Sequence, residues 1–391
     1  MANNFQYYAP TKVVFGRDTQ YQVGALVKET GAKKVLIHYG GKSAEASGLL
    51  EQVKRSLDDC EIAYLTLGGV VPNPHIGKVY EGITICKEEN VDFILAVGGG
   101  SVIDSAKAIA YGIANEGDVW ELYEHTAQAT ACAPVGVVLT IAAAGSETSC
   151  GSVITNEKTG QKRAYDNNLA RPKFAVLNPE LTMTLPDYQT QSGCVDMLMH
   201  TMERYFTNGG NMEITDSIAE GVMRTIIKYA QILHSDPGNY DARAEIMWAG
   251  SVAHNGLTGC GSIGDWSCHQ LEHELGGMFD VTHGAGLAAV WGSWARYVYK
   301  NCMHRFVQFA VNVMGVEQTD DETTALKGIE AVEDFYRSIS MPTNLRELGV
   351  EPTDEQIKAM SKSCLEACGG SQGSAKVLYE ADMIQIYRNA R

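Results

Sequence analysis

Five residues in the second half of the 391-residue chain have the types and spacing of a metal centre. Asp196 and His200 stand four apart in a stretch with helical periodicity, and His269 and His273 repeat that interval, so each pair shares one helix face. His283 follows within Thr282-His283-Gly284-Ala285-Gly286, after the pair Gly276-Gly277, which reads as a glycine turn. One carboxylate with several imidazoles is a donor set for a divalent transition metal, iron(II) or zinc, with a position left for substrate. A metal held this way polarises a carbonyl or alcohol oxygen. The remaining histidines, His38, His75, His125, His234, His254 and His304, are isolated in sequence and are expected to be structural or solvated.

A second chemistry lies in glycine turns. Gly98-Gly99-Gly100-Ser101 ends an apolar run and opens a helical stretch, so the backbone can approach a ligand closely while the helix N-terminus attracts an anion such as pyrophosphate. The spacing is not Gly-x-Gly-x-x-Gly, the usual dinucleotide fingerprint. Asp104, in the first turn, complements the helix dipole. Gly40-Gly41-Lys42-Ser43 follows another apolar run and carries no acid at the position that would bind a ribose 2′-hydroxyl. Small and basic groups there leave room for a 2′-phosphate, so NADP(H) is expected over NAD(H). Gly369-Gly370-Ser371-Gln372-Gly373 has the Gly-x-Ser-x-Gly spacing but does not follow a strand-like run, and Gly41-Lys42-Ser43 lacks the earlier glycine of a Gly-x-x-x-x-Gly-Lys-Ser/Thr loop, with Leu36 at that position, which disfavours serine hydrolases and P-loop nucleotide hydrolases.

These residues need elements to hold them. Short apolar runs at 35–39, 63–67, 93–97, 135–140 and 174–177 read as strands covered on both faces, alternating with amphipathic stretches such as 44–57 and 102–113. That alternation predicts a doubly wound α/β domain with a mostly parallel sheet. After Leu185-Pro186 the period changes: 191–206, 214–233, 242–256, 266–278 and 324–338 read as helices, with no convincing strand. The expectation is an α/β dinucleotide-binding domain over residues 1–187 and an all-helical metal-binding and catalytic domain over 188–391, with the chemistry in the cleft between them.

Composition narrows the partners. Lys and Arg number 31 against 47 Asp and Glu, a net charge of −16 that opposes general binding to nucleic acid or anionic membranes. Apolar residues at 45% with 20% charged are those of a globular chain. Ten cysteines without a Cys-x-x-Cys pair fit free thiols of a reducing compartment. The opening MANNFQYYAPTKVVFG lacks the basic and apolar regions of a signal peptide, and the longest uncharged apolar stretch, 135–145, falls short of the roughly 20 residues of a membrane span. A cytoplasmic location is expected.

Taken in order, the motifs resemble the iron-containing (group III) alcohol dehydrogenase family across nearly the whole chain. They run from Tyr8-x-Pro10-Thr11-Lys12-Val13-Val14-Phe15-Gly16 through Pro72-Asn73-Pro74, Gly98-Gly99-Gly100-Ser101, Thr140-Ile141-Ala142-Ala143-Ala144-Gly145-Ser146-Glu147 and Thr184-Leu185-Pro186. They end in Cys268-His269-Gln270-Leu271-Glu272-His273-Glu274-Leu275-Gly276-Gly277. Tyr39-Gly40-Gly41-Lys42-Ser43 is similar to the butanol dehydrogenase-like aldehyde reductases, which generally use NADPH. The resemblance implies Asp196, His200, His269 and His283 as ligands of Fe2+ or Zn2+, and His273 facing the nicotinamide and substrate as the proton-relaying residue. It implies cofactor contacts from Gly41, Ser43, Asn73, Gly99, Gly100, Ser101, Thr140, Ser146 and Lys162, and a homodimer. Ala142-Ala143-Ala144 departs from the Pro or Thr that relatives often carry there, and Lys42 is not the most usual residue at its position. The activity so implied is hydride transfer between NADP(H) and a short primary alcohol or aldehyde such as butanol or butyraldehyde; the alternative is an NAD-dependent glycerol or propanediol dehydrogenase of the same superfamily.

Overall fold

The computed structural model describes residues 3–210 and 212–391. Among the described residues, eight strands form two sheets. Lys12–Phe15 (β1), Lys34–Tyr39 (β2), Ala63–Leu67 (β3), Phe93–Gly98 (β4), Val135–Leu139 (β5) and Phe174–Leu177 (β8) make a parallel sheet in the order β1-β8-β5-β4-β2-β3. Gly151–Asn156 (β6) and Gln161–Asp166 (β7) form a separate antiparallel hairpin. Helices Val23–Glu29 (α1), Ser43–Ala46 (α2), Leu49–Asp58 (α3), Ile76–Glu89 (α4), Gly100–Ala114 (α5) and Trp120–Tyr123 (α6) complete this half.

Alternation along the strands explains the layers. Val35, Ile37, Phe93, Leu95, Val97, Val138, Phe174 and Val176 share one buried core with Val27, Val53 and Leu57 of α1 and α3. The intervening residues serve the opposite face, where His38 bridges from its ring nitrogens to the Leu67 carbonyl and the Ser105 hydroxyl of α5, both at 2.9 Å. Burial lowers the His38 pKa to about 4, so this ring is a neutral strut.

Beyond Pro186 the chain is helical: Asp187–Tyr205 (α7), Glu213–Ser235 (α8), Tyr240–His254 (α9), Ser267–Phe279 (α10), His283–Val298 (α11), Met303–Asn312 (α12), Asp321–Ser338 (α13), Asp354–Ala367 (α14) and Glu380–Asn389 (α15). Residues 190–203 of α7 are buried without a break, the mark of a helix surrounded by others. Two compact units result, one of Ala9–Leu185 and one of Pro186–Arg391 together with Met1–Tyr8. No helix among the described residues is long and apolar enough to cross a membrane.

Four local readings of the sequence are corrected. The stretch 44–57 is two helices, because Gly48 takes φ +76° and ends the first. Strands β1, β6 and β7 were not expected. Gly276-Gly277 is not a turn but lies inside α10; the turn comes at Asp280, with φ +51°. Asp104 does more than complement a helix dipole: it accepts from the Ser146 hydroxyl at 2.6 Å and the Val153 amide at 3.0 Å.

Candidate active site

In the helical unit, Asp196 and His200 lie on α7, His269 and His273 on α10, and His283 opens α11. Small residues set how closely these helices approach. A Cβ on Gly284 would fall 1.9 Å from the Ser192 carbonyl oxygen, so only glycine lets the start of α11 rest on α7. Trp266 takes φ +66°, a costly conformation for a bulky residue, where the chain turns into α10; its ring lies 5.5 Å from that of His269.

The donors converge. From Asp196 Oδ1 the distances are 3.1 Å to His200 Nδ1, 3.7 Å to His269 Nε2 and 3.6 Å to His283 Nε2. Each histidine places Nδ1 against an oxygen acceptor: the Asp196 carbonyl at 3.0 Å for His200, Glu203 Oε1 at 3.1 Å for His269, and the Glu272 carboxylate for His283. For His269 and His283, an Nδ1–H donated to a carboxylate leaves Nε2, the nitrogen turned toward Asp196, with its lone pair for a metal, whereas His200 turns Nδ1 itself toward Asp196. Asp196 Oδ1 and His269 Nε2 are buried and make no hydrogen bond. Buried polar atoms without partners are costly, and a cation among them resolves both at once.

Electrostatics agree. Against burial, which alone would lower it, the neighbouring Asp196 and Glu203 carboxylates raise the His269 pKa to about 9, a measure of how strongly this position favours positive charge. Burial lowers His200 to about 4, keeping it a neutral donor. Although burial opposes it, the neighbouring His200 and His283 hold Asp196 well below the usual carboxylate range. Residues Asp196, His200, His269 and His283 therefore suit a divalent metal.

His273 is buried one turn beyond His269, and its ring centroid lies 5.8 Å from that of His283. Three residues escaped the sequence reading. Glu203 and Glu272 carry the second layer, and His254, expected to be isolated, stacks edge-on against His200 at 4.0 Å while its Nδ1 accepts from Arg204 at 3.2 Å. The only sequence signal for the two acids is helical spacing: Glu203 sits three residues after His200 and Glu272 three after His269.

In the α/β unit, β2 leads to β3 on one side while β4 lies on the other, making a topological switch point between β2 and β4. Ligands of such sheets bind beyond the carboxyl ends of the strands at that point. Gly41 and Ser43 follow β2 and are exposed; Gly99, Gly100 and Ser101 follow β4 and open α5; Thr140 follows β5, its amide bonded to the Gly98 carbonyl at 3.0 Å. The unexpected hairpin positions two more residues. Lys162 on β7 pairs in register with Thr155 on β6, and the Thr155 amide bonds the Pro74 carbonyl at 2.8 Å, bringing the Asn73 loop beside the hairpin. Ser146 is buried with its hydroxyl given to Asp104, so its side chain serves the loop itself.

Comparison with known proteins fits both halves. Residues 10–179 match the family described as iron-containing alcohol dehydrogenase, and residues 190–391 match its C-terminal family. The chain is 38% identical to NADH-dependent butanol dehydrogenase A of Clostridium acetobutylicum over 389 residues, 99% of each chain. It is 35% identical to the NADPH-dependent aldehyde reductase YqhD of Escherichia coli over 373 residues, 95% of each. The crystal structure of NADH-dependent butanol dehydrogenase A from Thermotoga maritima superposes with a TM-score of 0.96 at 39% identity, covering 100% of this chain and 99% of the other. Parallel-sheet and helical units, the converging donor set and matches along both halves together show that the chain is an oxidoreductase of the iron-containing alcohol dehydrogenase family, whose members use NAD(P) and iron or another divalent metal.

Proposed function

We propose that this chain is a metal-dependent, NADP(H)-linked reductase of short-chain aldehydes that also oxidises the corresponding primary alcohols. The observation that carries the reading is the convergence of His200, His269 and His283 on Asp196, with a carboxylate behind the rings of His269 and His283. Iron(II) or zinc held there supplies Lewis-acid polarisation of the substrate oxygen, and a nicotinamide cofactor supplies or accepts the hydride.

The chain's own residues do the rest. Asp196 is the anionic donor; His200, His269 and His283 are neutral donors fixed in orientation. His273 holds the proton that the product oxygen needs when an aldehyde is reduced, and takes it back in the oxidative direction. The amides of Gly99, Gly100 and Ser101 at the start of α5 receive the pyrophosphate. Gly41 and Ser43 receive the adenosine end, Asn73, Thr140 and Lys162 line the remainder, and Ser146, its hydroxyl given to Asp104, holds the loop behind them.

The NADP(H) assignment is supported by the turn after β2, where Gly41, Lys42 and Ser43 are exposed and Glu45, the acid nearest in sequence, accepts from the Tyr39 hydroxyl at 2.8 Å. A second reading, NADH as the working cofactor, is favoured by the names of relatives at 36–39% identity, which are NADH-dependent butanol dehydrogenases. Initial rates with NADPH and NADH over a series of aldehydes, after loading with iron(II) or zinc(II), decide between them. The expected result is reduction of butyraldehyde with a higher kcat/KM for NADPH. Preference for NADH overturns the cofactor assignment, and no reduction with either cofactor overturns the function.

A further inference from the structure

Arg204, in the last turn of α7, stands four residues after His200 and one after Glu203, and no step of the chemistry above uses it. Its guanidinium donates from Nη1 to the His200 carbonyl oxygen at 2.6 Å and the Ala253 carbonyl oxygen at 3.2 Å, and from Nη2 to His254 Nδ1 at 3.2 Å. The guanidinium carbon lies 4.6 Å from the centre of the Trp266 ring. A Cβ on Gly259 would fall 2.8 Å from Arg204 Cδ, so the glycine makes room for the arm. Every polar hydrogen of an arginine is a donor and its charge is permanent, so His254 has to accept at Nδ1. An imidazolium has no lone pair to accept with. His254 is therefore neutral, and the charge of this group is that of Arg204.

The rings that Arg204 holds are packed on the metal donors. His254 meets His200 edge-on at 4.0 Å, and the Trp266 ring lies 6.1 Å from that of His200 and 5.5 Å from that of His269. A cation thus stands one layer of aromatic rings behind two of the four proposed ligands, and charge acts more strongly across such a layer than through water. On the other sides stand carboxylates: Asp196 among the donors, Glu203 behind His269 and Glu272 behind His283. Carboxylates behind imidazoles raise ligand basicity and tighten the hold on a metal, while also feeding it the electron density that a Lewis acid should lack. A guanidinium works in the opposite sense. We propose that Arg204 is a tuning residue of the metal centre: its fixed charge, held against His254 and Trp266, loosens the grip of the four ligands on a divalent cation and leaves that cation more strongly polarising toward the substrate oxygen. The proposal rests on the metal site described under the proposed function. It carries a sign: removing the charge tightens metal binding and slows turnover, whereas removing a merely structural prop would loosen the metal.

The test uses the full-length protein stripped of metal, with zinc(II) alone as the probe and competition with a chelator as the readout. Arg204→Met, which keeps an extended arm and removes the charge, is expected to lower the zinc Kd by about tenfold, and to lower kcat for butyraldehyde by about threefold at full zinc occupancy. Arg204→Lys, which keeps the charge, is expected to stay within about threefold of the parent in Kd. A zinc Kd for Arg204→Met within twofold of the parent, or weaker than it, overturns the proposal. Tightening by Arg204→Lys equal to that by Arg204→Met overturns it as well, since charge would then not be the cause. Where Arg204→Met does not fold, Arg204→Gln, which keeps an N–H donor for His254 without the charge, is read by the same limits. A parent protein that binds no zinc(II), or binds it no better than His269→Ala does, overturns the metal site itself, which separates the two failures.

Discussion

The two units present opposite kinds of ligand surface. In the α/β unit the groups proposed to face the cofactor are largely backbone: glycine turns at the carboxyl ends of β2 and β4, and the residues that follow β5. In the helical unit they are side chains on α7, α10 and α11, each ring oriented by an oxygen behind it. A backbone surface suits a large, constant anion such as a dinucleotide; a cluster of side chains suits a small cation whose geometry must be exact to a few tenths of an ångström. Damage to the first should therefore appear in cofactor affinity, and damage to the second in metal content or turnover.

The largest effect that sharpens this contrast is at His273. His273→Ala is expected to keep its metal and lower kcat by about 100-fold or more, with cofactor Kd little changed. Metal analysis beside steady-state rates checks it, and loss of metal would mean that His273 is a ligand. Next come the acids behind the rings. Glu203→Leu and Glu272→Leu are each expected to weaken metal binding by about 10–100-fold, read by competition with a chelator, and to leave NADPH binding alone. Glu→Gln at either position should recover part of the loss, since an amide oxygen still accepts from Nδ1–H.

A pH dependence follows from His269. With no metal bound its ring holds a proton up to a pKa of about 9, and metal binding displaces that proton. Apparent metal affinity should then fall about tenfold for each pH unit below 9 and level off above it. His200, at about 4, is neutral throughout that range and adds no second proton. A flat profile between pH 6 and 9 would contradict the electrostatics assigned to this position. The smallest effect on the fold is in the other unit: a Cβ on Gly41 meets nothing within 4 Å, so Gly41→Ala should change stability by less than about 0.5 kcal/mol while raising the KM for NADPH.

Much of this organisation was legible because its signals are local. Parallel strands buried on both faces read as continuous apolar runs, and the intervals from Asp196 to His200 and from His269 to His273 announce shared helix faces. What escaped depends on contacts between distant segments. Glu203 meets His269 across 66 residues, and its one local signal, a place three residues after His200, is shared by many solvated acids on helices. The β6–β7 hairpin carries Lys162, Arg163 and Asp166 and is only half buried on its second strand, so it lacks the apolar run of the sheet strands. Gly276-Gly277 misled in the other direction: two glycines suggest a turn, but burial of α10 against its neighbours sustains the helix through them. His254 was set aside because no histidine stands near it in sequence, while the fold brings it to His200.

The claim that the helical unit's side chains carry the metal chemistry is tested most directly by stripping the metal, titrating iron(II) or zinc(II) back, and following aldehyde reduction against metal bound per chain, beside a His269→Ala variant. Turnover should rise in proportion to occupancy, saturate at about one ion per chain, and fall by at least about 1,000-fold in the variant together with its metal. Full turnover in the stripped protein, or in a metal-free His269→Ala, would contradict it.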